Sequence, residues 1–276
     1  MEHKEDYYVG LKNLKLFYQS WIPSNPKAVV QILHGGFEHI GRYKHVVERL
    51  TSENFIIYGN DHRGHGRSEG KRNHIKSFDE YMEDSYILTK MIKDNHPDLP
   101  IFILGHSMGS CVAQRFAIKY QKEIQGLILS GSGTGIGIIP VFLRIVAKIM
   151  AKIYPTFKAA SNLNPDDLSH DLESIEDYTS DPLINYKIAT AAMGVAFMNH
   201  YPEIKSKIGD ITIPVLIQKG SLDETVSGID ELIADLKTKD KTVKIYKNGK
   251  HEMYNEIEEK REVALNDLAD WLNSHF

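Results

Sequence analysis

Short runs of aliphatic and β-branched residues recur along the chain, separated by longer stretches whose apolar positions return every three or four residues. The runs predict strands at residues 14–21, 28–33, 55–60, 101–104, 126–130, 215–219 and 243–246. Val29-Val30-Gln31-Ile32-Leu33 and Ile101-Phe102-Ile103-Leu104 lack alternation, as strands buried on both faces do. The longer pattern predicts helices near 43–53, 78–95, 108–120, 228–236 and 258–273. Strands alternating with helices predict an α/β protein, with a mostly parallel sheet covered by helices on both faces. One stretch breaks the rhythm. From Gly133 to Ile208 the pattern offers no convincing strand, only helical segments broken by Pro140, Pro155, Pro165, Pro182 and Pro202. Sheet signals resume at Ile213-Pro214-Val215-Leu216-Ile217. The expectation is a core from residues 1–132 and 209–276, with a helical cap inserted at 133–208.

Composition narrows the classes. Of 276 residues, 42% are hydrophobic and 25% charged, which is globular rather than disordered. The single cysteine, Cys111, leaves no intrachain disulfide and no cysteine-based zinc site. A net charge of −4 argues against a nucleic-acid partner. The start, Met1-Glu2-His3-Lys4-Glu5-Asp6, lacks the apolar segment of a secretory signal. The longest uncharged stretch, 124–143, is interrupted by Gly126, Gly131, Gly133, Gly135, Gly137 and Pro140, so a strand, a loop and a helix start are expected rather than a membrane span. A soluble, cytoplasmic protein is the expectation.

The strongest chemical signal is Gly105-His106-Ser107-Met108-Gly109, directly after a predicted strand and opening a helix. That context fits the G-x-S-x-G nucleophile elbow, in which a sharp turn lifts the serine above the sheet. A serine hydroxyl needs a base to take its proton and an acid to orient that base. Gly220-Ser221-Leu222-Asp223-Glu224 follows one late strand and Asn248-Gly249-Lys250-His251-Glu252 follows the next. Asp223 is the candidate acid, with Glu224 as its neighbouring competitor, and His251 is the candidate base. His200 and His275 follow no strand. For the oxyanion, the Met108 N–H and an N–H from His34-Gly35-Gly36-Phe37-Glu38-His39 are the candidate donors, with Gly36 first and Phe37 as the alternative.

Three segments together carry a specific resemblance. His34-Gly35-Gly36-Phe37-Glu38-His39-Ile40-Gly41-Arg42-Tyr43, Asp61-His62-Arg63-Gly64-His65-Gly66-Arg67-Ser68-Glu69-Gly70 and Gly105-His106-Ser107-Met108-Gly109 look like the monoacylglycerol lipase and lysophospholipase family of serine hydrolases. Tyr178-Thr179-Ser180-Asp181-Pro182-Leu183, Gly220-Ser221-Leu222-Asp223 and His251-Glu252 extend the match over nearly the whole chain. The resemblance implies an α/β-hydrolase core, a helical cap and hydrolysis of single-acyl-chain lipid esters without a cofactor. Phe37, where the family commonly has glycine, and His106 are expected beside the substrate. Ser110 is a second departure, at a position where glycine is frequent. A carboxylesterase for short or aromatic acyl groups is the alternative enzyme. A lipid-binding protein without chemistry is a rival that the complete Ser107, Asp223 and His251 set argues against.

Other polar residues invite blander readings. His34, His39, His62, His65 and His74 cluster in sequence but lack zinc-site spacing, so no metal is expected. The Asp61–Gly66 stretch reads as a loop bracing the site, Cys111 as a small buried residue, and Glu38 with Arg42 as a pair of unsettled role. In the cap, Ile139, Phe142, Leu143, Val146, Ile149, Met150 and Ile153 trace one apolar helix face. Arg144, Lys148 and Lys152 trace a basic stripe beside it. Such a helix either packs on the core with its lysines in water or makes transient contact with an anionic membrane surface.

Overall fold

The computed structural model describes residues 1–135, 140–161 and 163–276. Its main sheet is built from β1 (Glu2–Val9), β2 (Lys15–Ile22), β3 (Ala28–Leu33), β4 (Phe55–Asn60), β5 (Ile101–His106), β6 (Gly126–Ser130), β9 (Val215–Gly220) and β10 (Lys241–Tyr246). Between β6 and β9 lie the short strands β7 (Lys158–Ala160) and β8 (Ile188–Thr190), paired with each other antiparallel. The helices are α1 (Lys44–Ser52), α2 (Phe78–Asn95), α3 (Met108–Tyr120), α4 (Val141–Ile153), α5 (Leu172–Ser180), α6 (Ala191–Ile204), α7 (Ile229–Asp235) and α8 (Glu258–Asn273).

The sheet runs β1-β2-β4-β3-β5-β6-β9-β10; β2 is antiparallel to both its neighbours, β1 and β4, and the remaining pairings, from β4–β3 to β9–β10, are parallel. Alternate residues feed two cores. Ile101 and Ile103 pack with Phe78, Leu88 and Ile92 of α2 and Phe116 of α3. Phe102 and Leu104 pack on the other face with Leu50 of α1 and Leu268 and Trp271 of α8. This two-sided burial explains the continuous apolar runs.

Two expectations need correction. Strand β1 was not foreseen: seven of its eight residues are exposed, so backbone pairing with β2 holds it and no apolar pattern announces it. The cap segment, expected to hold no strand, contains β7 and β8, three residues each and too short to set up a period of two.

Helix α4 packs on α6 and departs from its expected single packing face. Leu143, Val146, Ala147 and Met150 line a cavity beneath it. Phe142, Ile145, Ile149 and Ile153 are each more than half exposed, and Lys148 and Lys152 are exposed beside them. Ile139 lies outside the described residues. No helix among the described residues is long and apolar enough to cross a membrane.

Candidate active site

The sequence folds into a sharp elbow after β5. Ser107 sits at φ 50° and ψ −116°, a conformation that L-residues avoid and that persists only where surrounding structure enforces it. Its flanking glycines are that enforcement. A Cβ at Gly105 would lie 2.4 Å from the Gly109 carbonyl oxygen, and one at Gly109 would lie 1.9 Å from that of Leu33. The Ser107 N–H donates to the Ser130 carbonyl at 2.9 Å, fixing the turn against β6.

Met108 opens α3, where first-turn N–H groups have no acceptor within the helix. Gly36 lies against it: a Cβ there would be 3.7 Å from the Met108 Cβ. The two candidate donors therefore come from adjacent segments. Phe37 has φ 69°, the left-handed region that explains why a glycine is common at such a position.

The predicted acid and base meet. His251 Nδ1 lies 3.0 Å from Asp223 Oδ2, and both side chains are almost completely buried. The other carboxylate oxygen, Oδ1, accepts from the backbone N–H of Thr225 at 3.0 Å and of Val226 at 3.4 Å. The two loops are stitched together by Leu222 N–H donating to the Gly249 carbonyl at 2.8 Å. Burial works to raise the Asp223 pKa, but the His251 ring and the nearby Lys219 ammonium hold it below the ordinary carboxylate value. Lys219, buried with Nζ 3.9 Å from Asp223 Oδ2 and bonded to the Val226 carbonyl, was not foreseen. Glu224 lines the cavity but takes no part in the contact with His251. His251 Nε2 has no hydrogen-bond partner among the described residues. Catalytic hydrogen bonds are often formed only once substrate is bound.

His106 packs its ring 5.0 Å from that of His251, its Nδ1 3.2 Å from Ser130 Oγ. Burial, followed by the neighbouring His251 ring, lowers its pKa. Gly36, Phe37, His106, Ser107, Met108 and His251 line one cavity of about 650 Å³, whose other walls come from α4, β7, β8 and α6.

Beneath the site lies a buried ion cluster, of which the sequence showed only the Glu38–Arg42 half. Arg42 donates to both oxygens of Glu252 at 2.7 Å and to Glu38 Oε2 at 2.7 Å. Glu38 Oε1 accepts from the Gly35 N–H at 2.5 Å and from the Tyr43 hydroxyl at 2.8 Å. The guanidinium also lies 4.7 Å from the ring centre of Tyr178 on α5. The spacing of Glu38 and Arg42 was the available signal; the partner Glu252, from a distant segment, was not.

The histidine cluster separates in space. His34, His62 and His65 pack ring against ring, and burial pushes His34 and His65 down to about 3. His39 instead pairs with Asp181, just after α5, at 2.9 Å, and His74 meets Thr190. Among the described residues no group of three or more His, Cys, Asp or Glu side chains is placed to hold a metal ion. The Asp61 loop does brace the site: its carboxylate accepts from the N–H groups of Ile40 and Arg67. Cys111, expected to be buried, is partly exposed and lines the cavity, while burial pushes its thiol up to about 12.

A parallel sheet with a serine elbow after its central strand, and an Asp–His pair on the loops of its last two strands, defines an α/β-hydrolase. The family model Hydrolase_4, described as serine aminopeptidase, S33, matches residues 24–258, and the chain belongs to that family. It is 33% identical to the monoacylglycerol lipase of Mycolicibacterium smegmatis, over 98% of this chain and 97% of that one. It is 29% identical to the monoglyceride lipase of Homo sapiens, over 94% and 86%. Among solved structures, the monoacylglycerol lipase of Paleococcus ferrophilus superposes with a TM-score of 0.84 at 29% identity, covering 95% of this chain and 99% of that one.

Proposed function

We propose that this protein hydrolyses monoacylglycerols to glycerol and free fatty acid, with Ser107, His251 and Asp223 as its catalytic triad and residues 133–208 as the cap over the lipid. The observation that carries the reading is the cavity: Ser107 and His251 open onto a space walled by Leu143, Val146, Met150, Phe157, Met193 and Phe197, a setting for an acyl chain. The lipases to which the chain is similar support the same substrate.

In the proposed cycle His251 Nε2 takes the Ser107 proton as Oγ attacks the ester carbonyl. Asp223 holds Nδ1–H and stabilises the imidazolium that forms. The N–H groups of Gly36 and Met108 bind the oxyanion, with Phe37 and His106 beside the reacting ester. The C–O bond to glycerol breaks as His251 returns the proton to the leaving oxygen. Water, deprotonated by His251, then cleaves the acyl-enzyme and restores Ser107. No cofactor enters these steps.

The test is a comparison of 1-oleoylglycerol with oleoyl lysophosphatidylcholine. The expected result is a kcat/KM at least about 10-fold higher for the glycerol ester, since a missing head-group partner typically costs that much or more. Equal or faster cleavage of the lysophospholipid would overturn the head-group assignment.

The outer side of α4 supports a peripheral membrane contact. Phe142, Ile145, Ile149 and Ile153 face outward, with Lys148 and Lys152 exposed on the same helix. Each basic residue near an anionic surface contributes about 1 kcal/mol, so the triple variant Arg144→Gln, Lys148→Gln, Lys152→Gln should bind anionic vesicles about 100-fold more weakly. Its activity on p-nitrophenyl acetate should stay unchanged. Equal sedimentation of variant and native protein with vesicles at low salt would leave α4 as an ordinary solvated cap helix.

A further inference from the structure

Glycine is the poorest helix former apart from proline, so one in a helix interior calls for a reason. At the elbow the reason is contact: no side chain fits at Gly105 or Gly109. Gly194, in the first half of α6, has no such reason. A Cβ built there would meet nothing within 4 Å, and its φ is not in the left-handed region. Nor does it face open solvent in the way of a surface glycine. Ala191, Gly194, Phe197 and Met198, the others three or four positions from Gly194, line the cavity that holds Ser107 and His251. Leu143, Val146 and Met150 of the neighbouring α4 line the same cavity, with Phe157 and Ala189. The missing side chain therefore leaves usable volume in an apolar compartment. Neither backbone geometry nor close packing demands it.

We propose that Gly194 determines the acyl-chain length this hydrolase accepts, its bare backbone leaving the room through which the distal methylenes of a long acyl chain pass. The inference rests on the reading of the cavity as the acyl site. A branched or aromatic side chain at this position projects into that room and blocks the far end of the chain while leaving the ester at Ser107 untouched. A methyl group fits without contact.

The experiment measures kcat/KM of Gly194→Ala, Gly194→Leu and Gly194→Phe on p-nitrophenyl acetate, butyrate, octanoate, laurate and palmitate, and on 1-monoacylglycerols of the longer acids. Gly194→Ala should keep the native chain-length profile with a Tm at or above the native value, because alanine is the better helix former. Gly194→Leu and Gly194→Phe should hold acetate and butyrate within about 2-fold and lose at least about 10-fold on palmitate, the scale of a few misplaced methylenes in an apolar pocket. Activity on acetate serves as the folding control. A loss spread evenly over all chain lengths, or an unchanged profile in both large variants, overturns the proposal. A native protein that cleaves the p-nitrophenyl series but no monoacylglycerol would sink the substrate reading alone, and the p-nitrophenyl profiles would still decide the role of Gly194.

Discussion

Replacing Ser107 by alanine should lower kcat for monoacylglycerol hydrolysis by about 10⁴-fold or more, because in the proposed cycle its hydroxyl forms the acyl-enzyme. His251→Ala should cost a similar amount, and the double variant little more than either, since nucleophile and base act as one unit. Neither loss should come from unfolding. Alanine accepts the same strained turn no worse than serine does, and the flanking glycines that enforce the turn remain. Single-turnover kinetics on a p-nitrophenyl ester, together with a thermal melt, separate the two causes. A Ser107→Ala protein that melts normally and retains a tenth of native activity would remove the nucleophile assignment.

Arg42→Met should produce the largest loss of stability. Methionine fills similar volume but leaves the buried carboxylates Glu38 and Glu252 without their shared cation, a change of about 3–5 kcal/mol. The pH dependence supplies a sharper criterion. Burial alone would raise the pKa of Glu252, yet Arg42 overrides it and brings the carboxyl down from 4.5 to about 2. The stability that Glu252 contributes is thus complete above pH 4.5 and is lost as pH falls toward 2. In Arg42→Met the sign reverses for Glu252, since burial is then left to raise its pKa and the folded state takes up its proton more readily than the unfolded one. Its urea midpoint should rise as pH falls from 7.5 to 5, where Glu252 leaves the native midpoint nearly flat. Parallel curves for the two proteins would contradict the account. Because Arg42 also spans from the Gly35 loop to the residue after His251, kcat should fall in the folded fraction of the variant.

The parts of the fold legible in the sequence are those whose residues are buried on a regular period. Ile101–Leu104 could be read because each residue meets one of two cores, and the elbow because its glycines have no room for side chains. Asp223 and His251 could be read because strand ends announce where loops gather. The same logic explains the failures. Strand β1 is held by backbone hydrogen bonds, which leave no mark on composition. Glu252 meets Arg42 across 210 positions, a pairing that no local pattern encodes. Lys219 looks like the polar end of a strand and not like a buried ammonium beside an acid. In α4 the period was visible, but a helix serving a cavity on one side and solvent on the other has the same period as one packed on a core.

The placement of β10 has a consequence for how the enzyme comes into being. This strand forms one edge of the sheet, is the last in chain order, and leads directly into the loop of His251. During synthesis the serine turn leaves the ribosome well before the proposed base does, yet a domain generally folds as a unit. Everything after Gly220 carries β10, the proposed base and the α8 residues Leu268 and Trp271 of one core. The proposed hydrolase therefore lacks both its base and a complete core until its last strand and last helix are in place.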